Sequence, residues 1–340
     1  MLLSPSISDE SQLEDLLSEP TESTCRLING LDGDIAVLGA AGKMGPGLCR
    51  MLKIAAPKKT VFAVSRFSDL QVMESLNRSG IKTLSADLAD PLQYPSIPKV
   101  PNVYYLVGMK FGASRSEPLT WAMNVYVPAL VCEHFKQSKI VALSTGNVYP
   151  FTEPGRGGAD EDTQPDPRGE YAQSCLGRER IFQYFSQKDK LPVVLIRLNY
   201  ANEPRYGIIV DVTKRILAGE PIDLTMGHVN LIWQGDANDY IARAISQTQS
   251  PAGLINLAGP ETVSVRYLAG CIGQMVNREP IFTGSEDSTA LLSNASRCFD
   301  LFGYPTVSLF PMVRAIVNWV ASGKPVFNKP TKFQVRNGRF

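Results

Sequence analysis

Asp34-Ile35-Ala36-Val37-Leu38-Gly39-Ala40-Ala41-Gly42-Lys43-Met44-Gly45 is the stretch that decides the fold. Four apolar residues, Ile35 to Leu38, meet three glycines spaced three apart. The residues that follow carry apolar side chains at helical spacing: Leu48, Met51, Leu52 and Ala55. A short apolar run before such spacing reads as a strand entering a helix. A glycine turn between them presents the helix N-terminus, where free backbone N–H groups and the helix dipole converge on an anion. The glycines let the turn close, let the backbone approach a pyrophosphate and let the helix sit tightly on the strand. The stretch therefore reads as a dinucleotide cradle, with a purely structural glycine turn as the alternative. The spacing is G-x-x-G-x-x-G, not the commoner G-x-G-x-x-G.

Downstream, strands and helices alternate. Residues 60–64 read as the second strand, ending at Ser65-Arg66. An acid at that place bonds the ribose 2′-hydroxyl of NAD, whereas an arginine accommodates the 2′-phosphate of NADP. No acid occurs there until Asp69, so the reading favours NADP over NAD, with Arg66 as a charge-assisted donor. A solvated surface arginine is the bland alternative. A helix over 69–79 and a strand over 82–85 lead to Asp87-Leu88, where the carboxylate either accepts from an adenine amino group or caps a turn. The fourth strand, 102–107, runs into Gly108, whose small size suits close passage of a cofactor. One helix is expected over 119–135, with Asn124 inside it among apolar neighbours and in need of a partner.

The fifth strand, 140–143, ends in Ser144-Thr145-Gly146-Asn147-Val148-Tyr149. The polar, proline-rich stretch 150–169 reads as a loop of the kind that borders active sites. Tyr171 opens the next helix, and residues 193–196 form strand six, followed by Arg197-Leu198-Asn199-Tyr200. The alternation predicts an α/β fold, a doubly wound parallel Rossmann sheet. The expected division is an N-terminal arm (1–33), a dinucleotide-binding domain (34–200, with 228–258 returning to it) and a smaller cap (201–227 and 259–340). In the arm, Ser8-Asp9-Glu10-Ser11 caps a short helix that Pro20 stops, packed on the main domain or on a partner subunit. In the later part, a strand over 230–234, Asp236 as a helix cap and a helix over 290–302 are expected.

The 340 residues carry 34 basic and 33 acidic side chains, which leaves no basic footprint for nucleic acid and no polybasic membrane patch. No run of about 18 apolar residues offers a membrane span. Six cysteines without C-x-x-C spacing read as reduced thiols of a cytoplasmic protein. Two distant histidines, His134 and His228, argue against a metal site and against a histidine-based triad.

The ordered set of Gly39 to Gly45, Asp87-Leu88, Asn124-Val125, Thr145 to Tyr149, Tyr171, Arg197-Leu198-Asn199 and Trp233 to Asp236 resembles the extended short-chain dehydrogenase/reductase family of the NAD-dependent epimerase/dehydratase type. The resemblance implies an NAD(P)-dependent oxidoreductase or epimerase acting on a hydroxyl or carbonyl of a sugar-like small molecule. By position, Gly39, Ala41, Gly42, Lys43, Met44 and Gly45 would hold the pyrophosphate, and Ser65 and Arg66 the adenosine ribose. Asp87 and Leu88 would meet the adenine; Val107, Gly108 and Asn124 would lie near the rest of the cofactor. Tyr171 matches the general acid/base, which also lies on the cofactor side, and Thr145 the residue that bonds the reacting oxygen. Asn147 and Asn199 would line the substrate side. The resemblance also implies a homodimer through the helices over 119–135 and 171–186.

One position departs from the family. Where it reads Tyr-x-x-x-Lys, this chain reads Tyr171-Ala172-Gln173-Ser174-Cys175. The lysine's charge stabilises a phenolate, and a neutral thiol offers none. That loss keeps a second expectation open: an NADP-binding sensor or regulatory protein without redox turnover. A reductase would suffer least, since a neutral tyrosine can still donate a proton.

Overall fold

The computed structural model describes residues 3, 6–109 and 116–338. Seven strands form one parallel sheet: β1 (Ile35–Leu38), β2 (Val61–Ser65), β3 (Lys82–Ser85), β4 (Asn102–Tyr105), β5 (Lys139–Thr145), β6 (Val193–Leu198) and β7 (Gly253–Leu257). Their order is β7-β6-β5-β4-β1-β2-β3. Chain order therefore reverses between β1 and β4, which opens a crevice at the carboxyl ends of these strands. This is the doubly wound Rossmann arrangement that the sequence predicts.

The side-chain alternation of β1 explains both layers. Ile35 and Val37 enter one hydrophobic cluster, Ala36 and Leu38 another. A strand buried on both faces is apolar except where a polar side chain is hydrogen-bonded; β1 and β4 are buried along their whole length, and Asn102, which opens β4, donates to Asp32 O at 2.7 Å. Twelve helices surround the sheet among the described residues. The first four are α1 (Glu10–Ser18), α2 (Glu22–Asn29), α3 (Gly45–Ala55) and α4 (Leu70–Arg78). Next come α5 (Glu117–Trp121), α6 (Val127–His134), α7 (Gly169–Asp189) and α8 (Ile208–Ala218). The last are α9 (Gln234–Arg243), α10 (Val265–Val276), α11 (Ser296–Phe302) and α12 (Leu309–Ala321). Helices α3 and α9 cover one face of the sheet, and α6 and α7 the other. A separate cluster built on α8, α10 and α12 forms the core of the cap, and Leu13 and Leu17 of α1 insert into it.

Several expectations need correction. The helix over 119–135 is broken into α5, a π-helical turn at Ala122–Tyr126, and α6. Pro128 stands in the first turn of α6. It has no N–H for the carbonyl four residues back, and its ring crowds that carbonyl; the wider turn relieves both. Strand β4 stops at Tyr105. The helix expected over 290–302 covers only Ser296–Phe302, because the preceding backbone pairs instead with the proline-rich loop. Thr152 and Ala290 exchange both of their backbone bonds at 2.8 Å. The strand over 230–234 shrinks to Ile232–Trp233, paired with Ala201–Asn202. Asp236 lies inside α9 rather than capping it, and its carboxylate accepts from the Thr306 hydroxyl and from the N–H groups of Thr306 and Val307.

The arm holds two helices where one was expected. Asp9 caps α1 by accepting from Gln12 N–H, and Thr21 caps α2 by accepting from Thr24 N–H. Both helices pack on α3 and α9, and the Asp239 carboxylate of α9 accepts from Thr21 and Thr24. No described helix is long and apolar enough to cross a membrane.

Candidate active site

A cleft of about 230 Å³ opens at the carboxyl ends of β4, β5 and β6, between the sheet and the cap. It gathers seven of the residues singled out from sequence: Lys43, Met44, Gly108, Thr145, Asn147, Tyr171 and Asn199. The cap side adds Tyr206 and Thr331. Thr331 comes from the C-terminal segment, where its N–H and hydroxyl both donate to Asp211 of α8.

Thr145 ends β5, and its register with Leu198 of β6 brings Asn199 beside it. Its Oγ1 accepts from Asn147 N–H at 3.2 Å and from Asn147 Nδ2 at 2.9 Å. A hydroxyl that accepts twice keeps its own hydrogen to donate. Thr145 and Tyr171 line the cleft together, and the threonine hydroxyl, as a donor toward the phenol, favours the phenolate.

Tyr171 sits in the first turn of α7 and is half-buried. Burial pushes its phenol well above the ordinary tyrosine range, and the Cys175 thiol adds to this; Arg178 and the Thr145 hydrogen bond pull the other way. Cys175 is fully buried behind it. Arg178, which the sequence places one turn beyond Cys175, points into the site. Its Nη1 donates to Leu143 O at 2.8 Å, its Nη2 to Asn124 Oδ1, and its guanidinium lies 5.9 Å from the Tyr105 ring centre.

Asn124 does not line the cleft. It is fully buried in the π-helical turn, where its Oδ1 also accepts from Met109 N–H and its Nδ2 donates to Ser174 Oγ. Its amide is spent on holding Arg178 and the chain after β4, so direct cofactor contact is not open to it. Gly108 lines the cleft and serves a second purpose there. A Cβ there would lie 2.5 Å from Arg178 Nη2, so the glycine makes room for the guanidinium.

The glycine turn lies at the crevice mouth. Gly39 has φ +83°, and a Cβ on it would come 2.9 Å from Val107 N. A Cβ on Gly45 would come 2.2 Å from Ala40 O, so only glycine lets α3 begin against the turn. No side chain caps α3, but Gly45 N–H is spent on Gly42 O at 3.1 Å and Pro46 has no N–H, so an anion there would be met by the glycine turn ahead of the helix and by the helix dipole. Gly42 is exposed and Ala41 half-exposed beside it. These features fit a dinucleotide's pyrophosphate. Lys43 turns toward the cap, donating to Ala201 O at 2.7 Å with its ammonium 4.0 Å from the Tyr206 ring centre.

Ser65 and the exposed Arg66 end β2. Asp69, the nearest acid, is the N-cap of α4 and accepts from Gln71 N–H. Asp87 Oδ1 accepts from Ala89 N–H, so this carboxylate caps its own turn, and Leu88 and Val107 are buried in the sheet's second apolar layer. Arg178, Tyr206 and Thr331 are among the cleft residues that sequence reasoning did not assign. For Arg178 a signal existed: it stands seven residues after Tyr171, on the same helical stripe.

A model of the NAD dependent epimerase/dehydratase family matches residues 35–264. No curated protein matches the sequence. Among solved structures, the UDP-glucuronic acid 4-epimerase from Bacillus cereus in complex with NAD is similar with a TM-score of 0.71 and 19% identity, over 84% of this chain and 96% of that one. The UDP-glucose 4-epimerase from Thermotoga maritima with UDP-glucose gives 0.71 and 18%, over 85% and 99%. The dTDP-glucose 4,6-dehydratase from Streptomyces venezuelae gives 0.73 and 16%, over 85% and 97%. At such identities the likeness establishes the fold.

Proposed function

The chain belongs to the NAD-dependent epimerase/dehydratase family, and from that premise we propose that it is a nicotinamide-dependent oxidoreductase or epimerase acting on a hydroxyl-bearing carbon of a sugar-like substrate. The observation that carries the reading is that Thr145 and Tyr171 face one cleft together, at the sheet's switch point. Solved relatives of the same fold hold NAD and nucleotide sugars, which makes a nucleotide sugar the first substrate class to test.

A nicotinamide dinucleotide, when bound, supplies hydride acceptor and donor chemistry. The glycine turn and the positive end of the α3 dipole would hold its pyrophosphate, and Ser65 and Arg66 its adenosine ribose. Tyr171 moves the proton of the reacting hydroxyl. Thr145, whose one hydrogen is directed at the phenol, holds Tyr171 beside the reacting oxygen. Asn147, Asn199 and Tyr206 face the substrate from β5, β6 and the cap.

Arg66 and the absence of a free acid at the end of β2 favour NADP over NAD. Calorimetry with NADPH and NADH tests this. Arg66→Glu should weaken NADPH by roughly ten- to a hundredfold, the worth of a charge-assisted bond, and leave NADH nearly unchanged. Equal losses for both would remove the NADP preference, and no binding of either would remove the whole reading. If dinucleotide binds but no nucleotide sugar or simple carbonyl turns over, the sensor reading gains. The exposed Leu119, Trp121, Tyr126 and Tyr184 on the helices flanking the site support a homodimer through that face. A monomer by light scattering at micromolar concentration would exclude it.

A further inference from the structure

Resting on the assignment of Tyr171 as the proton-transfer residue, we infer that Arg178 supplies the positive charge that the family's lysine would supply from position 175, reaching the phenol from one turn further along α7. Residues four and seven apart on a helix share one face, so positions 171, 175 and 178 form a single stripe. Helical side chains lean toward the helix N-terminus, which directs the long arginine from its own turn back toward Tyr171.

Four features of the structure support the placement. Gly108 leaves the space that Nη2 fills. Leu143 O and Asn124 Oδ1 each accept from one Nη, which fixes the guanidinium plane. The Nε has no hydrogen-bond partner among the described residues, although it is buried. Among the described residues no carboxylate is bonded to Arg178; the adjacent Glu179 is paired bidentately with Arg197. A buried guanidinium without a carboxylate stays charged and projects its field onto nearby groups.

Among the described residues, the other titratable and charged groups around Tyr171 do not supply this charge. A cysteine cannot carry a positive charge, and Cys175 raises the phenol instead of lowering it. Tyr105 stacks behind Arg178. Lys43 is bound to Ala201 O and lies against Tyr206, and Glu170 is tied to Trp121. Arg178 thus acts through Tyr171, as a positioning residue.

The test reads the phenol directly. Tyr171 is replaced by difluorotyrosine, whose lower intrinsic pKa brings ionisation into the working range, and the titration is followed by fluorine NMR without cofactor or substrate. Arg178→Met should raise the apparent pKa by ~1 unit or more, as loss of a nearby opposite charge does. Adding Cys175→Lys to that variant should bring it back down. An unmoved pKa in a folded Arg178→Met protein would overturn the inference, since a purely structural arginine would lower the melting temperature and leave the phenol alone. Should Arg178→Met not fold, Cys175→Lys in the otherwise native chain decides. A small shift supports a cation already in place, and a shift of ~1 unit or more overturns it. Dinucleotide binding is not needed for this readout, so calorimetric failure of the functional reading remains separate.

Discussion

Replacing Glu179 by leucine tests whether α7 is held in place by one buried ion pair. Glu179 is fully buried and Arg197 nearly so. The carboxylate accepts from Arg197 Nε at 3.0 Å, from Arg197 Nη2 at 2.7 Å and from the Ser144 hydroxyl. Arg197 Nη1 has no hydrogen-bond partner among the described residues, so the guanidinium has little to fall back on. Removing one member of a buried pair leaves an uncompensated charge and costs about 3–5 kcal/mol. The lost acceptor of Ser144 adds about 1 kcal/mol. Against a total stability of about 5–15 kcal/mol, Glu179→Leu should consume a large share. Urea unfolding followed by circular dichroism measures it, with midpoint and slope both recorded to keep stability separate from changes in the unfolded state. The double variant Glu179→Leu with Arg197→Met should recover most of the loss, because a well-packed apolar pair avoids the desolvation penalty. A single-variant cost below about 1 kcal/mol would refute the reasoning. So would a double variant as unstable as the sum of its parts.

Two other perturbations follow from the same geometry. Gly45→Ala would set a Cβ 2.2 Å from Ala40 O, backbone against backbone, so α3 must back away from the turn. Calorimetry should show dinucleotide affinity reduced at least about tenfold, alongside the ~1–3 kcal/mol of overpacking, and unchanged affinity would refute the cradle. Burial pushes the thiols of Cys49 and Cys298 up to about 12. A thiolate-specific reagent at pH ~8 should leave both unmodified until denaturant is added, and their rapid labelling in the folded protein would show that this core is open.

The fold was legible because a parallel strand buried on both faces is apolar except where a polar side chain is hydrogen-bonded. Ile35 to Leu38 and the later runs carry that mark, and the glycine turn adds the direction of the chain. The cap was not legible in detail. Its pairings are two residues long, as at Ile232–Trp233, too short for any periodicity to show. Helix α2 begins with a threonine cap straight after Pro20, a signal present in the sequence but read only as the end of α1. The π-helical turn also had its cause in view, since Pro128 interrupts what otherwise scans as one helix. In the site, Thr145, Asn147, Asn199 and Tyr171 were legible because each sits at a strand end or helix start. Tyr206 and Thr331 reach the cleft from irregular backbone, and chain order says nothing about such arrivals.

Arg178 belongs to a third kind: its position was visible and its direction was not. What directs it is a set of departures that make sense only together. A lysine at 175 beside an arginine at 178 would put two positive charges into one desolvated corner, at a cost neither could offset by pairing there. A small, fully buried Cys175, which cannot carry a positive charge, removes that conflict. A side chain at 108 would strike Nη2, and glycine removes that one. A regular helix through Pro128 would strain the turn that carries Asn124, and the π-helical turn brings that amide to Arg178 Nη2. Each substitution taken alone looks like the decay of an active site. Taken with the Leu143 and Asn124 bonds that orient the guanidinium, they describe a cation moved by one helical turn, and decay has no reason to build its supports.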